Sequence, residues 1–258
     1  MLFPSWESWG LGPLLRRESD LRLYLDLFKK PASQIGGVRK FWIQRSFLKI
    51  TEPVSISQPY TDKQSADGLI TFEKLLDYYA QLNGWNAFLL EEIRGMTREK
   101  WLKKAAAVPV APVGIHVRRG DFVLSGSGIP ISWFVKSLLL VRKIAGYPAK
   151  ALIFSDGSAR ELRDILNLPH TSYIATGSAI GDLLSLAKQR FLIAPGGSTF
   201  SAWASFLGQM PTVTYPGQPL SWYQMINQDG LHKSELDPDH SVSKTLENQI
   251  LSATKPAS

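Results

Sequence analysis

Apolar positions in the second half of the chain fall into short continuous runs separated by stretches with helical spacing. The runs Val113–Val117, Ala151–Ser155, Ser172–Ala175, Phe191–Ala194 and Thr212–Tyr215 read as strands. Between them, Trp133–Ala145, Ala159–Leu166, Ala179–Gln189 and Thr199–Leu207 carry helical patterns. Strands alternating with helices predict βαβ units, and hence an α/β fold with a parallel sheet covered on both faces.

The first half is less regular and rich in aromatic residues. Leu14–Phe28 predicts a helix with Leu14, Leu21, Tyr24, Leu25 and Phe28 facing inward. Phe41–Ile50 alternates loosely and predicts a strand. Residues 51–68, with Pro53, Pro59, Gly68 and several serines, read as a loop. Phe72, Leu75, Leu76, Tyr79 and Leu82 repeat at helical spacing, and further helices are expected over Asn86–Arg94 and Thr97–Ala106. Pro109 and Pro112 then interrupt the chain. The expected division is a domain over residues 1–110 and a second over 111–258. There is no internal repeat and no low-complexity tract.

Composition narrows the class. Hydrophobic residues make up 44% and charged residues 20% of 258, which suits a globular core and argues against disorder. Net charge is +7 and is spread evenly: 16 basic and 12 acidic residues up to position 110 give +4, leaving +3 for the rest. An ordinary basic surface fits this better than a nucleic-acid stripe, so no nucleic-acid partner is expected. The chain has no cysteine, which excludes disulfides, thiolate catalysis and cysteine-ligated metals. Neither a bilayer-spanning apolar run nor a signal peptide is evident, and a cytoplasmic setting is the simplest expectation.

Candidate chemistry gathers after two of the predicted strands. His116-Val117-Arg118-Arg119-Gly120-Asp121 follows the run Val113–Ile115. Guanidinium groups form paired hydrogen bonds to phosphate, and the carboxyl end of a parallel strand is where open α/β sheets bind ligands. The alternative for Arg118 and Arg119 is a surface pair with carboxylate partners. Asp121 is placed to orient an arginine or to receive a proton, whereas a His inside a strand is more often a satisfied core residue. Pro195-Gly196-Gly197-Ser198-Thr199 leads into a helix through Phe200. It offers close backbone approach, hydroxyls and a helix N-terminus, all suited to an anion. Asp156 closes another strand, and Asp182 lies in the first turns of a helix off its apolar face. Each either reads a sugar or base or compensates a helix dipole. Asp237-Pro238-Asp239 resembles a metal-binding Asp-x-Asp by chance alone, and no cluster has metal-ligand spacing.

The segment HVRRGD resembles the HxRRxD signature of inverting GDP-fucose-dependent fucosyltransferases. Three further segments follow in the same order as in the α-1,2-fucosyltransferases of glycosyltransferase family 11. Ile153-Phe154-Ser155-Asp156 resembles its IFSD strand end. Asp182-Leu183-Leu184 followed by Phe191–Ala194 resembles its Asp-led helix and next strand. Ser198-Thr199-Phe200-Ser201 with Trp203 resembles its STFSWW segment. The likeness covers roughly residues 100–225.

The resemblance implies a GT-B-like architecture of two Rossmann-like domains with parallel sheets, the C-terminal one binding GDP-fucose. The family's N-terminal GGLGNQ turn is absent, so the N-terminal, acceptor-side domain is expected to be incomplete. By resemblance, Arg118 holds the β-phosphate with Arg119 and His116 beside it. Asp182 contacts guanine, while Asp156, Gly197, Ser198, Thr199 and Phe200 complete the donor wall. His116 and Asp121 are the candidates for the base. The implied reaction moves L-fucose to a glycan hydroxyl, with α-1,2 linkage and without metal or other cofactor. A lipid-linked acceptor would bring the protein to a membrane surface. The rival readings are a GDP-binding module without turnover and a transferase for another nucleotide sugar.

Overall fold

The computed structural model describes residues 26–29, 35–51, 68–71, 82–120, 126, 128–218 and 233–255, with 48–51 and 68–71 described by their backbone. Its centre is a six-stranded, wholly parallel sheet: β3 (Val113–Val117), β4 (Ala151–Ser155), β5 (Thr171–Ile174), β6 (Leu192–Ala194), β7 (Thr212–Thr214) and β8 (Lys233–Glu235). The strands stand in the order β5-β4-β3-β6-β7-β8. The chain starts in the middle, builds outward to one edge, returns to the middle and builds outward to the other. This is the doubly wound Rossmann order, as the α/β expectation required.

Each strand separates two cores because successive side chains point to opposite faces. Ile115, Ile153, Ile193 and Val213 face one side. There they pack with Phe134, Leu138 and Val141 of helix α4 (Ile131–Ala145) and with Leu246 and Ile250 of α8 (Lys244–Thr254). Leu152, Phe154, Leu192 and Ala194 face the other side, against Leu186 of α6 (Ala179–Leu186) and Ala204 of α7 (Thr199–Gly208). The short helix α5 (Arg163–Leu166) adds Ile165 to the first core. Burial on both faces explains why these strands read as unbroken apolar runs.

Three helices precede the sheet: α1 (Gly37–Ser46), which buries no side chain, and α2 (Asn86–Met96) and α3 (Glu99–Ala107), which pack on its second layer. Leu89, Leu90 and Ile93 of α2 meet Ala202 and Phe206 of α7, while Ala105 and Trp101 of α3 meet Ile180 and Leu184 of α6. Residues 26–29 are fastened to the start of α3. Arg98 and Lys100 pair with the Asp26 carboxylate, and the Trp101 indole N–H donates to the Asp26 carbonyl at 2.8 Å.

Several local expectations are corrected. Phe41–Ile50 is not one strand: α1 runs through Ser46, and only β1 (Leu48–Thr51) is extended. Val38, Phe41 and Trp42 stay exposed and α1 buries no side chain, so the β preference of the aromatic residues has no packed sheet face to act on. Residues 51–68 do not end as loop, because Gly68 opens β2 (Gly68–Thr71), parallel to β1. The helix expected over 14–28 does not reach Phe28; Asp26 has φ 64° and Phe28 bridges Thr97. The remainder of that helix, and the one anchored by Phe72–Tyr79, lie outside the described residues. Residues 159–162 form turns ahead of α5. The polar stretch after Tyr215, in which the apolar pattern predicts no element, carries strand β8 and helix α8, and α8 completes the first core.

Lys233, at the entry of β8, is 7% exposed, and its Nζ has no hydrogen-bond partner among the described residues. Burial pushes its ammonium down to about 8. Between about pH 8 and 10.5 the unfolded chain holds a proton that the folded chain has lost, so stability rises through that window, by about 3 kcal/mol in total. We expect Lys233→Met to be more stable than wild type below pH 8 and to lack this rise. Urea denaturation at pH 7.5 and pH 10 checks both.

Candidate active site at the strand crossover

The return of the chain to the sheet centre places β3 beside β6, with connections leaving toward opposite edges. In this topology the carboxyl ends of the two strands open a crevice. His116, Arg118 and Arg119 stand at the end of β3, and Pro195–Ser198 lead from β6 into α7. The segments that stood out in the sequence therefore meet at one place.

Asp156, at the end of neighbouring β4, organises the arginines. Its carboxylate pairs with Arg118 Nη1 at 2.8 Å and accepts the Arg119 backbone N–H at 2.7 Å. Arg119 turns elsewhere: its Nε donates to Glu161 at 3.3 Å and its Nη1 to the Ile129 carbonyl at 3.2 Å. Glu161 is itself held by the Ser158 amide and hydroxyl, each at 2.8 Å. Those two hydrogen bonds, and then Arg119, hold its carboxyl below the usual range. The Ser155 hydroxyl ties β4 to β3 by donating to the Val117 carbonyl at 2.6 Å.

Two glycines permit this closeness. A Cβ at Gly120 would lie 2.7 Å from Asp156 Oδ2, and one at Gly157 would lie 2.6 Å from Arg119 Cγ. Gly120 stands inside the His116–Asp121 motif, whereas Glu161 and the closeness required at Gly157 do not stand out in the sequence. The signal for Glu161 was Ser158-Ala159-Arg160-Glu161, the spacing of a capping box.

Across the crevice, Ser198 caps α7 and accepts from the Ser201 amide. The Gly196 amide donates to Gln218 Oε1 at 2.7 Å. Thr199 is exposed, while Gly197 and Phe200 are partly buried. His116 joins the two sides. Its Nδ1 lies 2.5 Å from Ser201 Oγ, and its ring centroid lies 4.8 Å from that of Phe200. Burial, and secondarily the Arg118 charge, push the His116 imidazole down to about 3, so it is neutral at ordinary pH.

Asp182 stands further out, at the start of α6 after edge strand β5, where its Oδ1 accepts the Thr176 amide at 2.7 Å. Tyr173 lies toward that edge, with its hydroxyl donating to the Ser155 carbonyl at 2.9 Å. Burial, then the charges of Asp182 and Asp156, raise its phenol above the usual value. Asp121 lies outside the described residues. Among the described residues no three His, Asp or Glu side chains converge as a metal-ligand group. Nor is any helix among them long and apolar enough to cross a membrane. Asp239 instead pairs with Lys136, and Asp237 with His240.

The family model for glycosyl transferase family 11 matches residues 71–226, a span that contains the crevice residues from His116 to Gln218. The chain belongs to glycosyl transferase family 11. No curated protein matches it. Two solved structures resemble this family 11 chain at 21% identity. One is NodZ α-1,6-fucosyltransferase co-crystallised with GDP, at a TM-score of 0.37 over 50% of this chain and 48% of that one. The other is the same enzyme soaked with GDP-fucose, at 0.35 over 50% of each. This chain thus spans about half their length.

The His116 environment makes an acid-stability prediction. Below about pH 6.5 the unfolded chain binds a proton that the folded imidazole refuses until about pH 3, so stability falls as pH drops through that window. The full loss is about 5 kcal/mol. We expect His116→Gln to lose this component, so that its stability relative to wild type improves between pH 7 and pH 4 in denaturant titrations.

Proposed function

We propose that this family 11 chain binds GDP-fucose at the β3/β6 crevice and transfers fucose with inversion to a glycan hydroxyl, forming an α-1,2 linkage. The observation that carries the reading is the Arg118–Asp156 pair set opposite the capped N-terminus of α7. A guanidinium and a helix N-terminus are two fixed sources of positive potential suited to a diphosphate. Supporting it are the family membership and the four ordered motifs.

In this reaction the acceptor oxygen attacks the anomeric carbon as the bond to the β-phosphate oxygen breaks. The hydroxyl proton passes to a base, and GDP leaves with the electron pair. Negative charge grows on the diphosphate, where cations already in place stabilise it without reorganisation. Arg118 contacts the β-phosphate. Arg119 supports it from its anchor on Glu161 and Ile129. Asp121 is the base by its place in the motif, since Nδ1 of His116 is already engaged by Ser201. Asp182 reads guanine, with Gly197, Ser198, Thr199 and Phe200 along the nucleoside and phosphates. The proposed frame is GT-B, with residues 111–258 on the donor side and residues 1–110 on the acceptor side. No metal or other cofactor takes part, and a lipid-linked acceptor would place the protein at the inner membrane surface.

Isothermal titration should show GDP and GDP-fucose binding, and transfer should survive EDTA; strict dependence on Mn²⁺ or Mg²⁺ would overturn the metal-free mechanism. Tight GDP binding with no transfer to any acceptor would favour a binding module instead.

Arg118→Ala should lose more donor affinity and turnover than Arg119→Lys, because a charge-assisted hydrogen bond is worth about 1.5–3 kcal/mol. Unchanged GDP affinity in Arg118→Ala would make the pair structural.

Asp182→Ala should weaken GDP by roughly 1–3 kcal/mol while leaving pyrophosphate binding nearly unchanged. Full retention of the preference for GDP over ADP would remove Asp182 from the site.

A further inference from the structure

His116 lies on the α6/α7 face of β3, in register with Phe154, and is 5% exposed. Its two contacts, Nδ1 with Ser201 Oγ and ring with Phe200, are both to the first turn of α7. Ser201 is fully buried, and its amide is bonded to the capping Ser198. Two residues beyond His116 comes Arg118. One imidazole therefore links the strand that carries the arginines to the helix N-terminus facing them. A proton carrier would need a nitrogen turned to the substrate, and one of the two is committed to Ser201.

We propose that His116 is a positioning residue. With Ser201 and Phe200 it pins the end of β3 to the first turn of α7, so that guanidinium and helix N-terminus hold one diphosphate as a rigid unit. The inference rests on the donor-site reading above and replaces a role for His116 as base. Sites split between two strands need this kind of bracing, because the bound groups must be held to within about half an ångström.

The two nitrogens can be tested separately. In His116→Asn the amide lies close to where Nδ1 was; in His116→Gln it lies close to Nε2. A pin requires the first. We expect His116→Asn to keep GDP affinity near wild type. His116→Gln and Ser201→Ala should each weaken it about tenfold, which corresponds to losing one buried hydrogen bond. The donor KM should rise in step with little change in kcat. The double variant His116→Gln/Ser201→Ala should be no worse than either single change, since both break the same contact.

Retained activity in His116→Gln with a collapsed kcat in His116→Asn would show Nε2 acting on substrate and overturn the proposal. Wild-type GDP affinity in Ser201→Ala would overturn it as well, and that small change spares the fold. If the wild-type protein binds no GDP, the donor-site reading fails by itself. The pin is then judged by ¹⁵N NMR of the imidazole: an unaltered His116 tautomer signal in Ser201→Ala overturns it, and a changed one supports it.

Discussion

Asp156 engages two groups at once, the Arg118 guanidinium and the Arg119 amide, and the geometry of the crevice follows from that. A carboxylate has enough lone pairs to accept from both, and its backbone is fixed by a strand buried in the sheet. The arginines follow directly on the β3 strand, after five buried residues. Without a fixed acceptor at that point, two adjacent cations would repel one another and spread into solvent. With it, one arginine is held at the crevice and the other is directed to Glu161 and Ile129. The two guanidinium groups are thereby separated although their residues are adjacent. Gly120 and Gly157 follow from the same constraint, since a side chain at either would occupy space taken by the pair.

The second constraint is the order of strands. Parallel strands require crossovers, and the return from β5 to β6 spans the sheet. The helix after β6 starts beside the strand on which the chain entered. Residues far apart in sequence become neighbours there: Ser201 is 85 positions from His116. On the same layer, α2 and α3 lie against α6 and α7, so the segment before Pro109 shares its apolar contacts with the helices that frame the crevice.

This division between local and distant explains what was legible in the sequence. The central strands were readable because double burial writes a continuous apolar run. The arginine pair and the glycine-rich turn were readable because each is a contiguous motif. The partners were not. Nothing near Arg118 names Asp156 as its carboxylate, and nothing near His116 names Ser201, because the fold alone supplies those neighbours. β8 was missed for another reason. Lys233-Ser234-Glu235 is short and polar and includes a buried lysine, so it carries no apolar run to mark it as a strand. Its helix α8 carries Leu246, Ile250 and Ala253 at helical spacing after the capping Ser243, yet its overall polarity disguised it. In α1 the aromatic residues spoke for a strand, but that preference depends on packing against a sheet, and the segment buries no side chain.

Helix α8 lies over the face that α4 presents, and the carbonyls near its end accept from Tyr147 and Arg190. A polypeptide leaves the ribosome amino end first. All strands up to β7 can therefore emerge while the apolar stripe of α4 and the sheet beneath it still wait for Leu246 and Ile250. Over that interval the nascent chain carries a greasy surface whose natural cover has not yet been translated. Docking of α8 is thus the event that removes this surface from competition with other chains.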